Sequence, residues 1–141
     1  MITNERQYRI TKKKADKFVE ALEEFDKKES ERMDVPPKLI RAERQAMETQ
    51  LTALRREVEE YEQIRDGGVP DLAVHSIDDL PEFLIKARIA SRMTQRELAV
   101  RVQLHEQQIQ RYESEGYASA SFRRVRQVAN ALGVGLRSFT V

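Results

Sequence analysis

Apolar residues recur at helical spacing from early in the chain. Ala15, Phe18, Val19, Leu22 and Phe25 follow one another in steps of three and four, which predicts one stripe of a helix over about Thr11 to Glu31. The segment Asp34-Val35-Pro36-Pro37 interrupts it, and because Pro is well tolerated just inside a helix start, a second, longer helix is expected from Pro37 to about Arg65. There Ile40, Met47, Leu54 and Tyr61 are spaced by seven, while Leu51 and Val58 fill the intervening positions of the same heptad. Arg44 and Arg65 occupy that second register too, so the seam is imperfect. Leu39, Ala46 and Ala53 widen the apolar face, which argues for packing against more than one neighbour.

The pattern changes after Asp66-Gly67-Gly68-Val69-Pro70, where a Gly pair stops the helix and Pro restricts its predecessor. Three segments are expected: an N-terminal helical hairpin over residues 1–66, coiled-coil-like and available for dimerisation or for binding a partner; a linker over 67–75; and a second domain over 76–141. Short helices dominate the latter. Asp79-Leu80-Pro81 opens one whose face carries Leu80, Leu84 and Ala87. Thr94-Gln95-Arg96-Glu97 is a Ser/Thr-x-x-Glu capping box, so Thr94 caps the next helix, with Leu98 and Ala99 inward. Only Gln103 and Leu104 separate it from a third helix, His105 to about Glu113, with Ile109 and Tyr112 inward. Ser119 or Ser121 caps a fourth, and Gly133 ends it. The whole chain is all-α, and two short helices joined by so brief a turn form a helix-turn-helix.

Charge sharpens this division. Net charge is only +1, yet residues 1–70 carry 15 basic and 16 acidic side chains, whereas residues 83–141 carry ten basic against four acidic. The positive field belongs to the C-terminal part, the footprint of a polyanion partner. With no Cys and only His75 and His105, thirty residues apart, thiolate chemistry is excluded and a metal site is not expected. No phosphate-binding Gly loop, nucleophile elbow or Ser, His and Asp set suggests catalysis, and no cofactor is implied. No apolar run reaches the roughly 18 residues of a membrane span, and the Lys- and Glu-rich start is unlike a signal peptide, so the cytoplasm is the expected compartment.

The phrase Met93-Thr94-Gln95-Arg96-Glu97-Leu98-Ala99, the segment Ile109-Gln110-Arg111-Tyr112-Glu113 and the closing Val128-Ala129-Asn130-Ala131-Leu132-Gly133-Val134 resemble the phage Cro and repressor-type (XRE) helix-turn-helix proteins over about residues 79–134. The resemblance implies a lambda-repressor-like helix-turn-helix bundle behind the hairpin. It makes Glu106, Gln107, Gln108 and Arg111 base-reading positions and Gln95 a phosphate contact at a helix N-terminus that also offers free N–H groups. Thr94, Ser119 and Ser121 join Gln95 as expected phosphate contacts through hydroxyl or backbone groups. Arg88 and Glu113 fall where the family commonly pairs an Arg with a Glu inside the domain. Many relatives place Gly where this chain has Gln103, which must then tolerate a left-handed backbone or bend the turn differently. The residue types suit base reading, since Gln can meet adenine N6 and N7, Arg guanine O6 and N7, and Glu cytosine N4.

Together these readings predict a sequence-specific DNA-binding regulator, a homodimeric repressor reading an inverted repeat in double-stranded DNA through the major groove. Ile40, Met47, Leu51, Leu54, Val58 and Tyr61 are the expected dimer or partner interface. The alternative is an antitoxin that regulates its own operon and binds a toxin protein through the N-terminal helices.

Overall fold

Two long helices begin the chain, and each starts where local chemistry dictates. A computed structural model describes residues 1–67, 74 and 76–134. Helix α1 spans Glu5–Lys28 and is capped by Asn4, whose side chain accepts from the Gln7 backbone N–H at 2.9 Å. It therefore begins about a turn and a half before the expected start at Thr11, because the Asn4 side chain satisfies one free N–H and Glu5 complements the dipole. A short 3-10 turn, Glu29–Glu31, ends it, and α2 runs Pro37–Gly67 with Pro at its first position.

The described chain forms two compact units, Met1–Tyr61 and the part from Glu62 onward, so the division falls within α2. The expected linker lies almost wholly outside the described residues. In the first unit, Ala15 and Leu22 of α1 pack with Leu51 of α2, and Phe18, Val19, Met47 and Leu54 close around them. Tyr8 stacks on Tyr61 with ring centroids 5.2 Å apart, and the Tyr61 hydroxyl donates to Glu5 at 3.1 Å. Arg44, the break in the heptad, reaches Asp26 across the hairpin at 2.9 Å and also pairs with Glu48. Its guanidinium holds the Asp26 carboxyl below the usual range.

The heptad seam is thus occupied by this chain's own α1. Leu51 and Tyr61 are buried against it, Met47 and Leu54 pack on the same cluster, Ile40 is buried and Val58 half-buried. A heptad specifies that a helix packs, but not which helix covers it, and here the hairpin closes on itself. A dimer contact through Met47, Leu51, Leu54 and Tyr61 would require α1 to leave. Leu39, Ala46 and Ala53 widen the face predicted from the spacing, and all three stay exposed, outside the buried cluster.

In the second unit, a 3-10 turn, Ile77–Asp79, is capped by Ser76 in a reciprocal box with Asp79, and leads into α3, Leu80–Ala90. Then come α4, Gln95–Arg101, α5, Glu106–Ser114, and α6, Phe122–Ala131. Their core takes one fully buried side chain from each: Leu84, Leu98, Ile109 and Val128. Burying such a residue stabilises by about 1.5–3 kcal/mol.

All four helices stop in the same way. Arg92, Gln103, Gly116 and Gly133 have φ between +54° and +68°. The next residue's N–H returns to a carbonyl five positions back, as in Leu104 to Ala99 at 2.8 Å and Met93 to Arg88 at 3.1 Å. These six-to-one bonds satisfy the last carbonyls of each helix and turn the chain sharply. No strand occurs among the described residues.

Candidate nucleic-acid interface

Helix α5 presents two chemically distinct faces. Ile109, Tyr112 and Glu113 are buried, while Glu106, Gln107, Gln110, Arg111 and Ser114 are exposed and Gln108 is half-buried at the flank. At 100° per residue the middle of the outward face is Gln107, Gln110, Arg111 and Ser114. Of the expected base readers, Gln107 and Arg111 stand on this ridge, Glu106 borders it, and Gln108 is partly covered. Gln110 and Ser114 are additions that the spacing of three and seven from Gln107 could have supplied.

Arg111 is partly preset. Its Nε donates to Glu115 at 3.0 Å, yet its side chain is 63% exposed, and the terminal nitrogens have no partner among the described residues. Glu115 also accepts from the Ser119 hydroxyl at 2.6 Å. That hydroxyl, and then Arg111, hold the Glu115 carboxyl below its ordinary range. Across one turn, Gln110 Nε2 donates weakly to Glu106 at 3.5 Å.

Behind the helix lies a buried polar network. Arg88 Nε and Nη2 donate to the two Glu113 oxygens at 2.5 and 2.9 Å, with the side chains 3% and 1% exposed. Arg88 Nη1 donates to the Met93 carbonyl at 2.9 Å, so α3 is tied both to its own following turn and to α5. Gln95 completes the set, its Nε2 donating to Glu113 at 2.7 Å.

Gln95 is 5% exposed, and the structure places its amide in this network rather than on the open surface where a side-chain phosphate contact was expected. The physical reason is the carboxylate: a buried anion attracts every donor within reach. What remains exposed at this end of α4 is Thr94, Arg96 and Glu97. The Thr94 hydroxyl accepts from Glu97 N–H at 3.0 Å, and Glu97 accepts from Thr94 N–H at 2.7 Å, which holds the Glu97 carboxyl below its usual value.

The start of α6 supplies the second flank. Ser121 caps it by accepting from Arg124 N–H at 3.1 Å, and Ser119 is tied to Glu115. Phe122 is 70% exposed beside them. Arg123 and Arg126 face solvent, but Arg124 is half-buried, its Nη1 donating to the Val102 carbonyl at 3.2 Å. A cation at the carbonyl end of a helix is favourably placed. His105 is exposed at the N-cap of α5 and makes no side-chain cap.

Two adjacent helices, a short turn with a left-handed Gln103 and an exposed polar face on the second helix are the geometry of a major-groove reader. Residues 84–139 match the family model described as helix-turn-helix. The C-terminal part of the chain belongs to the XRE-type helix-turn-helix family, a DNA-binding domain of transcription regulators. No curated protein and no solved structure matches the chain. None of the described helices is long and apolar enough to cross a membrane.

Proposed function

We propose that the protein is a sequence-specific, homodimeric repressor that reads an inverted repeat, one α5 helix per half-site. The observation that carries this reading is the outward face of α5, where Gln107, Gln110 and Arg111 combine adenine- and guanine-reading groups on one ridge. Behind them the Arg88–Glu113–Gln95 network fixes the helix, so the ridge is presented by a rigid support. Phosphate contacts come from the Ser119 to Phe122 segment and from backbone N–H groups near Thr94.

One recognition helix covers one half-site, and two-fold symmetry supplies the other, with centres about 34 Å apart. Since α1 already covers the heptad seam, the dimer contact uses an outer face of the hairpin. Leu39 and Ala53, two heptads apart and exposed on α2 with Ala46 between them, support that choice.

The test is the mass of the protein–duplex complex. Two chains on an inverted repeat, falling to one in a Leu39→Lys/Ala53→Lys variant, are expected. One chain per duplex in the unaltered protein refutes the dimer. Co-purification of a small basic protein with the hairpin, and no preferred duplex, would favour the antitoxin instead.

A further inference from the structure

The first unit is electrically lopsided, which a balance over residues 1–70 hides. Between Arg6 and Lys17 stand six cations and one carboxylate, Asp16; from Phe18 to Tyr61, twelve Asp and Glu outnumber eight Lys and Arg. At 100° per residue Arg6, Arg9, Lys13 and Lys17 form a single row on α1, opposite the buried Tyr8, Ala15 and Leu22. All four are exposed, and none makes an ion pair or hydrogen bond with a described residue. Lys12 lies off the row, its Nζ 3.2 Å from the Tyr8 hydroxyl. At 1.5 Å per residue the row is about 16 Å long on a rigid helix.

Three kinds of surface could face such a row. An anionic membrane would need the helix's apolar side free, and that side is covered by Leu51 and Tyr61 of α2. A second copy offers Glu57, Glu59 and Glu60, but Arg55 and Arg56 adjoin them and break the complementarity. Double-stranded DNA presents one phosphate charge per about 1.7 Å of axis with no positive charge between. We propose that Arg6, Arg9, Lys13 and Lys17 form a second DNA contact, one that holds the phosphate backbone without regard to base sequence. This rests on the DNA-binding reading above, and gives the N-terminal unit a role in affinity while α5 sets specificity.

The experiment measures binding of the full chain to a random-sequence duplex over a range of salt. It compares the unaltered protein with R6Q/R9Q/K13Q/K17Q and with K27Q/K28Q/R55Q/R56Q, which removes equal charge elsewhere on the same unit. Each lost phosphate contact lowers the slope of log K against log salt by about 0.9. The row variant is expected to lose about two to three from the slope and at least about tenfold in affinity near 0.1 M salt, with helix content unchanged. The control variant is expected to change little. Equal losses in both variants, or none in either, overturn the proposal, as does a row variant that alters the oligomeric state of the free protein. If the unaltered chain binds no duplex at any salt, the DNA-binding reading itself fails.

Discussion

Replacing Glu113 by Ala removes the carboxylate that holds Arg88 and Gln95 together. The Arg88 guanidinium, 3% exposed, would lose both its bonds to the carboxylate while its bond to the Met93 carbonyl at 2.9 Å stays, and the Gln95 amide would lose an acceptor at 2.7 Å. Breaking a buried pair from one side costs about 3–5 kcal/mol, because a charge is left without its counterion. A domain of this size is stabilised by only about 0.05–0.15 kcal/mol per residue, so most of the second unit's stability would go. Removing both partners in R88M/E113L leaves no orphan charge and should cost less than Glu113→Ala alone. The readout is amide hydrogen exchange at Ile109 and Tyr112, which reports on α5 directly and avoids the two-state assumption for a chain with two units. Since about 1.4 kcal/mol is tenfold, protection should fall by about a hundredfold or more in Glu113→Ala. A loss under tenfold, or a double variant worse than Glu113→Ala, would refute the reasoning.

Four further outcomes follow from the same geometry. Gln103→Gly should stabilise the protein by about 0.5–1 kcal/mol, seen as a higher urea midpoint, because φ of +56° strains any residue with a Cβ. Tyr117→Phe should be neutral or stabilising by up to about 1 kcal/mol, since the buried Tyr117 hydroxyl has no partner among the described residues. Burial, with the Glu113 charge adding to it, also pushes that phenol up, so Tyr117 should resist ionisation when Tyr absorbance is titrated with alkali. Glu97 has a carboxyl lowered from 4.5 in the fold, so its contribution is full above that value and is lost as pH falls through the lower folded one. Amide protection at the start of α4 should drop over that acid range, and Glu97→Gln should flatten the dependence.

Much of this architecture was legible in the residues. Pro37 marked the start of α2, Thr94 and Glu97 announced a capping box, and Gly133 closed α6, because each signal acts within one helical turn. The Asn4 cap was missed because the stripe was started at Ala15, although Tyr8, seven residues earlier, lies on the same buried face. The inward turn of Gln95 was not visible either, because its rotamer is decided by Glu113, eighteen residues away in sequence. Arg124 is a similar case: a cation at a helix start reads as solvent-facing until the Val102 carbonyl is brought beside it. The row on α1 was concealed by averaging, as the carboxylates from Glu20 onward cancel it in any count over the whole segment.

The central claim is that α5 reads bases, with Arg111 as one reader, and selection from a random duplex pool tests it most directly. The unaltered full chain and Arg111→Ala would be selected side by side at one fixed salt concentration. The account predicts an inverted repeat for the unaltered chain, and for Arg111→Ala the same repeat relaxed at one position per half-site, with about 1–3 kcal/mol lost on the original site. Recovery of no motif by the unaltered chain, or of an identical motif at equal affinity by both, would contradict it.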